Sequence, residues 1–140
     1  MNLKPGSRIV FHFGSLRFVK VARRGNLDKE RVIFRVKVAE DLIKFVVVGM
    51  RKSRTGEKTA TDLNRDFYWF PSREVKKDDF VVLWTKEGEN RTYLNKSGDT
   101  VHAFYWGKPA PVWTGETDMV GLLRISGWNL FSVEQEEEEE

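Results

Sequence analysis

Residues 31–38 read RVIFRVKV, and every second side chain is apolar: Val32, Phe34, Val36 and Val38 stand against Arg31, Arg35 and Lys37. Successive side chains of a β-strand point to opposite faces, so this pattern puts one face into a core and the other into water. Upstream, residues 16–22 (LRFVKVA) and 8–13 (RIVFHF) carry the same strand chemistry, and Gly14-Ser15 between them offers a two-residue turn. A hairpin is expected there. Downstream, residues 45–50 (FVVVGM) are continuously apolar, as a central strand covered on both faces would be.

The same signal recurs along the chain. Residues 67–70 (FYWF) stop at Pro71, 80–84 (FVVLW) end in a charged turn around Gly88, and 91–94 precede the turn NKSGD. Further strands are expected at 100–106, 112–114, 119–125 and 130–133, while 51–66 is polar. No run of ten residues holds a 3.6-residue period, and only residues 61–65 offer a single helical turn. About ten short strands with regular turn signals predict an all-β, antiparallel sandwich in one domain, residues 1–133. Residues 134–140 read as a disordered glutamate tail.

At 140 residues the chain is long enough to hide roughly two thirds of its unfolded surface in one core. It has no cysteine, which excludes disulfides and thiolate metal sites. Lys4, Pro5 and Gly6 precede any apolar run, and no stretch approaches the ~20 apolar residues of a membrane span. Neither signal peptide nor membrane anchor is expected, which leaves the cytoplasm as the default location. The net charge of +3 is uneven. The tail EQEEEEE holds six of the 21 acidic side chains, leaving 24 basic against 15 acidic groups, or +9, over residues 1–133.

No catalytic pattern is visible. His12 and His102 lie in expected strands, and HExxH, GxSxG and glycine-rich phosphate loops are missing. The carboxylate pairs Asp78-Asp79 and Glu87 with Glu89 sit beside lysines in turns, and no loop supplies the roughly six to eight oxygens that calcium takes. A noncatalytic module without metal or cofactor is expected. Two loops concentrate positive charge, Arg23 and Arg24 in one and Arg51, Lys52, Arg54 and Lys58 in the other. They are candidates for salt-sensitive, sequence-indifferent nucleic-acid binding, with the glutamate tail as internal competitor.

Residues 102–118, HAFYWGKPAPVWTGETD, set Tyr105, Trp106 and Trp113 around Gly107 and two of the chain's four prolines. Gly107 permits a sharp turn, and Pro109 and Pro111 stiffen the crossing. The three aromatics either pack a corner of the sandwich or form an exposed patch for a protein partner. Trp84, Phe104 and Trp128 are expected in the core.

Three blocks together resemble the lamin tail domain family over residues 16–132. LRFVKVARRGNLDKERVIFRV is similar to its opening strand, glycine loop and Glu-led strand, carried by Gly25, Glu30, Val32 and Phe34. FYWFPSREVKKDDFVVLWTKEG is similar to its middle strands, and YWGKPAPVWTGETDMVGLLRISG to its Trp-Gly segment, Val-Trp pair and closing strand. The resemblance implies an immunoglobulin-like sandwich acting as a noncatalytic adaptor, within a family proposed to bind proteins, nucleic acid or membranes. It leads to a binding or structural module that engages another protein, with a larger assembly as its setting.

Overall fold

The computed structural model describes residues 14–51, 66–115 and 118–133, with the backbone alone at Arg51. Ten strands follow in order: β1 (Leu16–Ala22), β2 (Arg31–Val36), β3 (Glu40–Asp41), β4 (Phe45–Arg51), β5 (Phe67–Trp69), β6 (Glu74–Val75), β7 (Phe80–Trp84), β8 (Arg91–Leu94), β9 (Thr100–Tyr105) and β10 (Asp118–Arg124). A 3-10 turn, Leu42–Lys44, is the sole helical piece among the described residues. The all-β expectation therefore holds, with strands at 80–84 and 91–94 as read from the sequence. Residues 112–114 and 130–133 form no strand. The expected 8–13 strand and its hairpin, and the turn at 61–65, lie outside the described residues.

β1, β2, β7, β9 and β8 form a five-stranded sheet, and β10, β4 and β5 a three-stranded one. β3 and β6 make a two-residue ladder. One pairing departs from the antiparallel expectation: β9 returns from the β8 edge and inserts beside β7 in parallel, Phe80 opposite Val101 through Trp84 opposite Tyr105. A hairpin partner that slips inside its predecessor leaves no local trace in sequence.

The sheets close on one core. Val32, Phe34 and Val36 of β2 are buried with Val81, Leu83 and Phe104 from the same sheet, and meet Phe45, Val47 and Phe70 of the three-stranded side. Edge-on rings fill the middle, with Phe70 5.1 Å from Phe104 and 6.3 Å from Phe34. The alternation in β2 is as read up to Val36; Val38 lies past the strand end and is exposed. A register shift between Phe18 and Lys20 turns Val19 out to solvent.

Polar ties hold the ends of the two layers together. Glu40 accepts from the Ser15 hydroxyl at the start of β1, from Lys44 at 2.7 Å and from Arg124 of β10 at 2.9 Å. The Arg124 guanidinium, then Lys44 and Ser15, hold its carboxyl well below the usual range, at about 2. Asp41 caps the 3-10 turn. Burial pushes its carboxyl up, but the Ile43 amide, the Ser72 hydroxyl and the Arg73 amide outweigh that and hold it low.

Candidate functional site

The described part of the 102–118 stretch, through residue 115, is a corner, and its keystone is a carboxylate. Glu30 at the foot of β2 is fully buried and accepts four hydrogen bonds: from the Gly25 amide at 2.7 Å, the Thr85 hydroxyl at 2.7 Å, and the Val112 and Trp113 amides at 2.7 and 3.4 Å. Gly25, at φ +84°, turns the loop back so that its N–H reaches this group. The family resemblance singled out Gly25 and Glu30, but which groups they join is visible only in three dimensions. Gly107, at φ +80°, bends the chain after β9, and Gly107 and Lys108 donate to Lys86 and Thr85 carbonyls.

The aromatics are mostly spent on packing. Trp113 is 2% exposed and donates its indole N–H to the Met119 carbonyl at 2.9 Å. Trp106 is half-buried between Trp113 and Tyr68, at 5.9 and 6.0 Å. Tyr105 stacks at 9° on Trp84, and Gly88 lies so close over its ring that a Cβ there would come within 2.2 Å. Of the three partner-binding candidates, Trp113 is core and Trp106 lines it. The corner meaning prevails for Trp113 because it is buried and Glu30 holds both backbone amides of the Val-Trp pair. Trp84 and Trp128 also depart from expectation: Trp84 faces outward and half-buried, Trp128 is 42% exposed, and only Phe104 is core.

Of the basic-loop candidates, Lys52, Arg54, Lys58 and the Arg51 side chain lie outside the described residues. Arg24 donates to the Gly115 carbonyl, which leaves exposed Arg23, with its left-handed φ of +52°, as the open cation of that turn.

His102 joins a polar chain that sequence spacing did not reveal. Its Nε2 lies 2.8 Å from Asp79 Oδ2 and its Nδ1 3.2 Å from Thr92 Oγ1, while Arg73 donates to that hydroxyl at 2.6 Å. Asp79 also accepts from the Lys76 amide. Because the Arg73 side chain lies on the hydroxyl, with its guanidinium 5.3 Å from the Phe104 ring, the chain ties the turn before β7 to β8 and β9.

The outward face of the three-stranded sheet is different in kind. Pairing aligns Leu123, Val46 and Trp69 in one row, Gly121, Val48 and Phe67 in the next, and Met119 with Met50 in the third. No polar side chain interrupts these eight positions. Phe67 is 53% exposed, Trp69 39% and Leu123 49%, and Trp128 packs edge-on against Trp69 at 5.6 Å. Beyond it Leu130, Phe131 and Val133 are almost bare. Antiparallel sheets usually alternate apolar-in and polar-out, so a sheet apolar on both faces marks a surface built to be covered.

Among the described residues no His, Asp and Glu side chains gather into a metal-binding group, and no helix is long and apolar enough to cross a membrane. No protein-family model matches the chain, and comparison with curated proteins and with solved structures returns no match.

Proposed function

We propose that the chain is a noncatalytic binding module of the lamin-tail, immunoglobulin-like type, which engages another protein through the outward face of the β10-β4-β5 sheet. The observation that carries this reading is the set of apolar outward positions on which Phe67, Trp69 and Leu123 stand exposed beside Trp128, around a buried Val48. Burying these rings at about 25 cal/mol per Å2 gives a partner its affinity, and large aromatics at the centre of such a patch are the usual anchors. Trp113 supports the reading indirectly, because its indole N–H ties the corner it shares with Tyr105 and Trp106 to the Met119 carbonyl of β10. The three sequence blocks that resemble the family, the last of them holding the Trp-Gly segment and the Val-Trp pair, support the lamin-tail assignment.

The test is site-directed photo-cross-linking from position 123, with position 95 in the opposite sheet's hairpin as control. A single protein captured from 123, not from 95, and lost in Phe67→Ser/Trp69→Ser supports the reading. Equal capture at both positions, or capture that survives the double substitution, defeats it. Sedimentation velocity on the same variants separates a second copy of this chain from a different partner.

A further inference from the structure

The opposite face of the molecule has its own chemistry. On the outward side of the five-stranded sheet, pairing sets Arg31, Trp84 and Tyr105 in one cross-strand row. The next row has Lys20 and Arg91 at its ends, with Ile33, Val82 and Ala103 as a low apolar floor between them. In the third row Arg17 and Arg35 stand beside Phe80, with Tyr93 on the far strand. These rows hold five cations and no carboxylate.

Cations and rings are also coupled in pairs. The Arg31 guanidinium lies 4.8 Å and the Lys86 ammonium 5.0 Å from the Trp84 ring centre, Arg35 lies 4.5 Å from Phe80, and Arg91 5.0 Å from Tyr93. A guanidinium held over a ring is positioned in advance and weakly hydrated, so it loses less freedom on meeting a phosphate. Among the described residues of this face acidic groups stand at the rim: Asp78 is 3.7 Å from Arg35, and Glu87 and Glu89 line a shallow hollow with Lys86 and Arg91. Glu87 and Glu89 direct an anion away from the 86–91 turn and toward β1 and β2.

From this arrangement the geometry points to a binding site for single-stranded nucleic acid on the five-stranded sheet, separate from the apolar protein-binding face. Phosphates follow Arg17, Lys20, Arg31 and Arg35 along β1 and β2, and bases lie toward Phe80, Trp84 and Tyr93. Of these rings Tyr93, 38% exposed on a strand whose four residues are all exposed, is the most open to a stacking base. Arg23 extends the cationic track past the end of β1. Acidic peptides would use the cations but not the rings, and a duplex keeps its bases stacked away from a flat sheet.

Fluorescence anisotropy of the full chain with labelled 20-nucleotide DNA and RNA strands, and with a duplex of equal length, tests the site. Binding to the single strands at low salt is expected, with log affinity falling against log salt by about 0.7 for each phosphate engaged. Arg31→Gln/Arg35→Gln lowers affinity about tenfold or more and flattens that slope by about 1.4, two phosphates' worth. Tyr93→Ala weakens binding about fivefold or more through lost stacking, with circular dichroism checking that each variant folds. Equal binding of DNA and RNA places recognition in phosphate and base alone, and a preference for either identifies the natural strand; both support the site. No binding at low salt, an unchanged slope in the double variant, or tighter binding of the duplex overturns it. Phe67→Ser/Leu123→Ser leaves nucleic-acid binding intact, so this site and the protein-binding reading fail separately.

Discussion

The two outward faces of this sandwich share one backbone logic and differ in everything attached to it. On both sheets alternate residues enter the same core, Val32, Phe34 and Val36 from one side and Phe45 and Val47 from the other. On the five-stranded side the remaining positions are arginine, lysine and aromatic rings set around the low apolar floor of Ile33, Val82 and Ala103. On the three-stranded side they are Val, Met, Leu, Phe and Trp. Core burial demands only one face of each sheet, so the outer faces are free to differ, one carrying cations and rings and the other apolar side chains.

The strongest way to break the comparison is to unlock the corner that joins the faces. Glu30→Ala leaves the Gly25, Val112 and Trp113 amides and the Thr85 hydroxyl buried without their acceptor, and is expected to cost about 3–5 kcal/mol. Thermal unfolding measures it, and amide exchange should rise first in β10, which the corner feeds. Glu30→Gln keeps the volume but turns half of the acceptor into a donor, and should cost less than alanine yet more than a surface change.

Acid loosens a second tie between the layers, at Glu40. A carboxyl whose folded pKa, about 2, lies below its ordinary 4.5 stabilises the fold fully above 4.5 and loses that contribution as pH falls toward 2. Since Lys44 and Arg124 are partly in water, screening reduces the effect to on the order of 1–2 kcal/mol. Denaturant midpoints across pH 2–6 should show the loss in wild type, and a shallower one in Glu40→Gln.

Smaller effects sharpen the contrast between the faces. Arg31→Gln removes a cation from Trp84 and is expected to destabilise by about 0.5–1 kcal/mol, an amount that added salt should reduce in wild type. Phe67→Ser/Leu123→Ser should shift the unfolding midpoint least, within about 0.5 kcal/mol, because these side chains already face water. The same change should lower the binding of an apolar fluorescent dye, which the Arg31 variant should leave unaltered.

Much of the fold was legible locally. Strict alternation at 31–36, the unbroken apolar run at 45–50, and the bracketing of 80–84 and 91–94 by turn residues each specify a strand within a few residues of chain. The strand expected at 112–114 is overridden because its amides go to the Glu30 carboxylate and not to a ladder. The sequence places Trp128 in the core and leaves Trp113 between corner and patch, yet Trp113 is core and Trp128 surface, since an isolated tryptophan carries no periodicity to say which way it points. The basic loops are visible as neighbours in sequence; the cationic rows are not, because Arg17 and Arg35 meet only across paired strands and Arg91 joins the same face from the far edge strand.

By itself the sequence determined the all-β class, most strand positions and which residues of β2 enter the core, because those follow from contacts between neighbours two residues apart. Only the tertiary structure decided that β9 lies parallel beside β7, that Glu30 holds the corner, and that one sheet is cationic outside and the other apolar. Those outcomes depend on strand order and register, and both are set by which distant segments bury each other's surfaces, a quantity no local window contains.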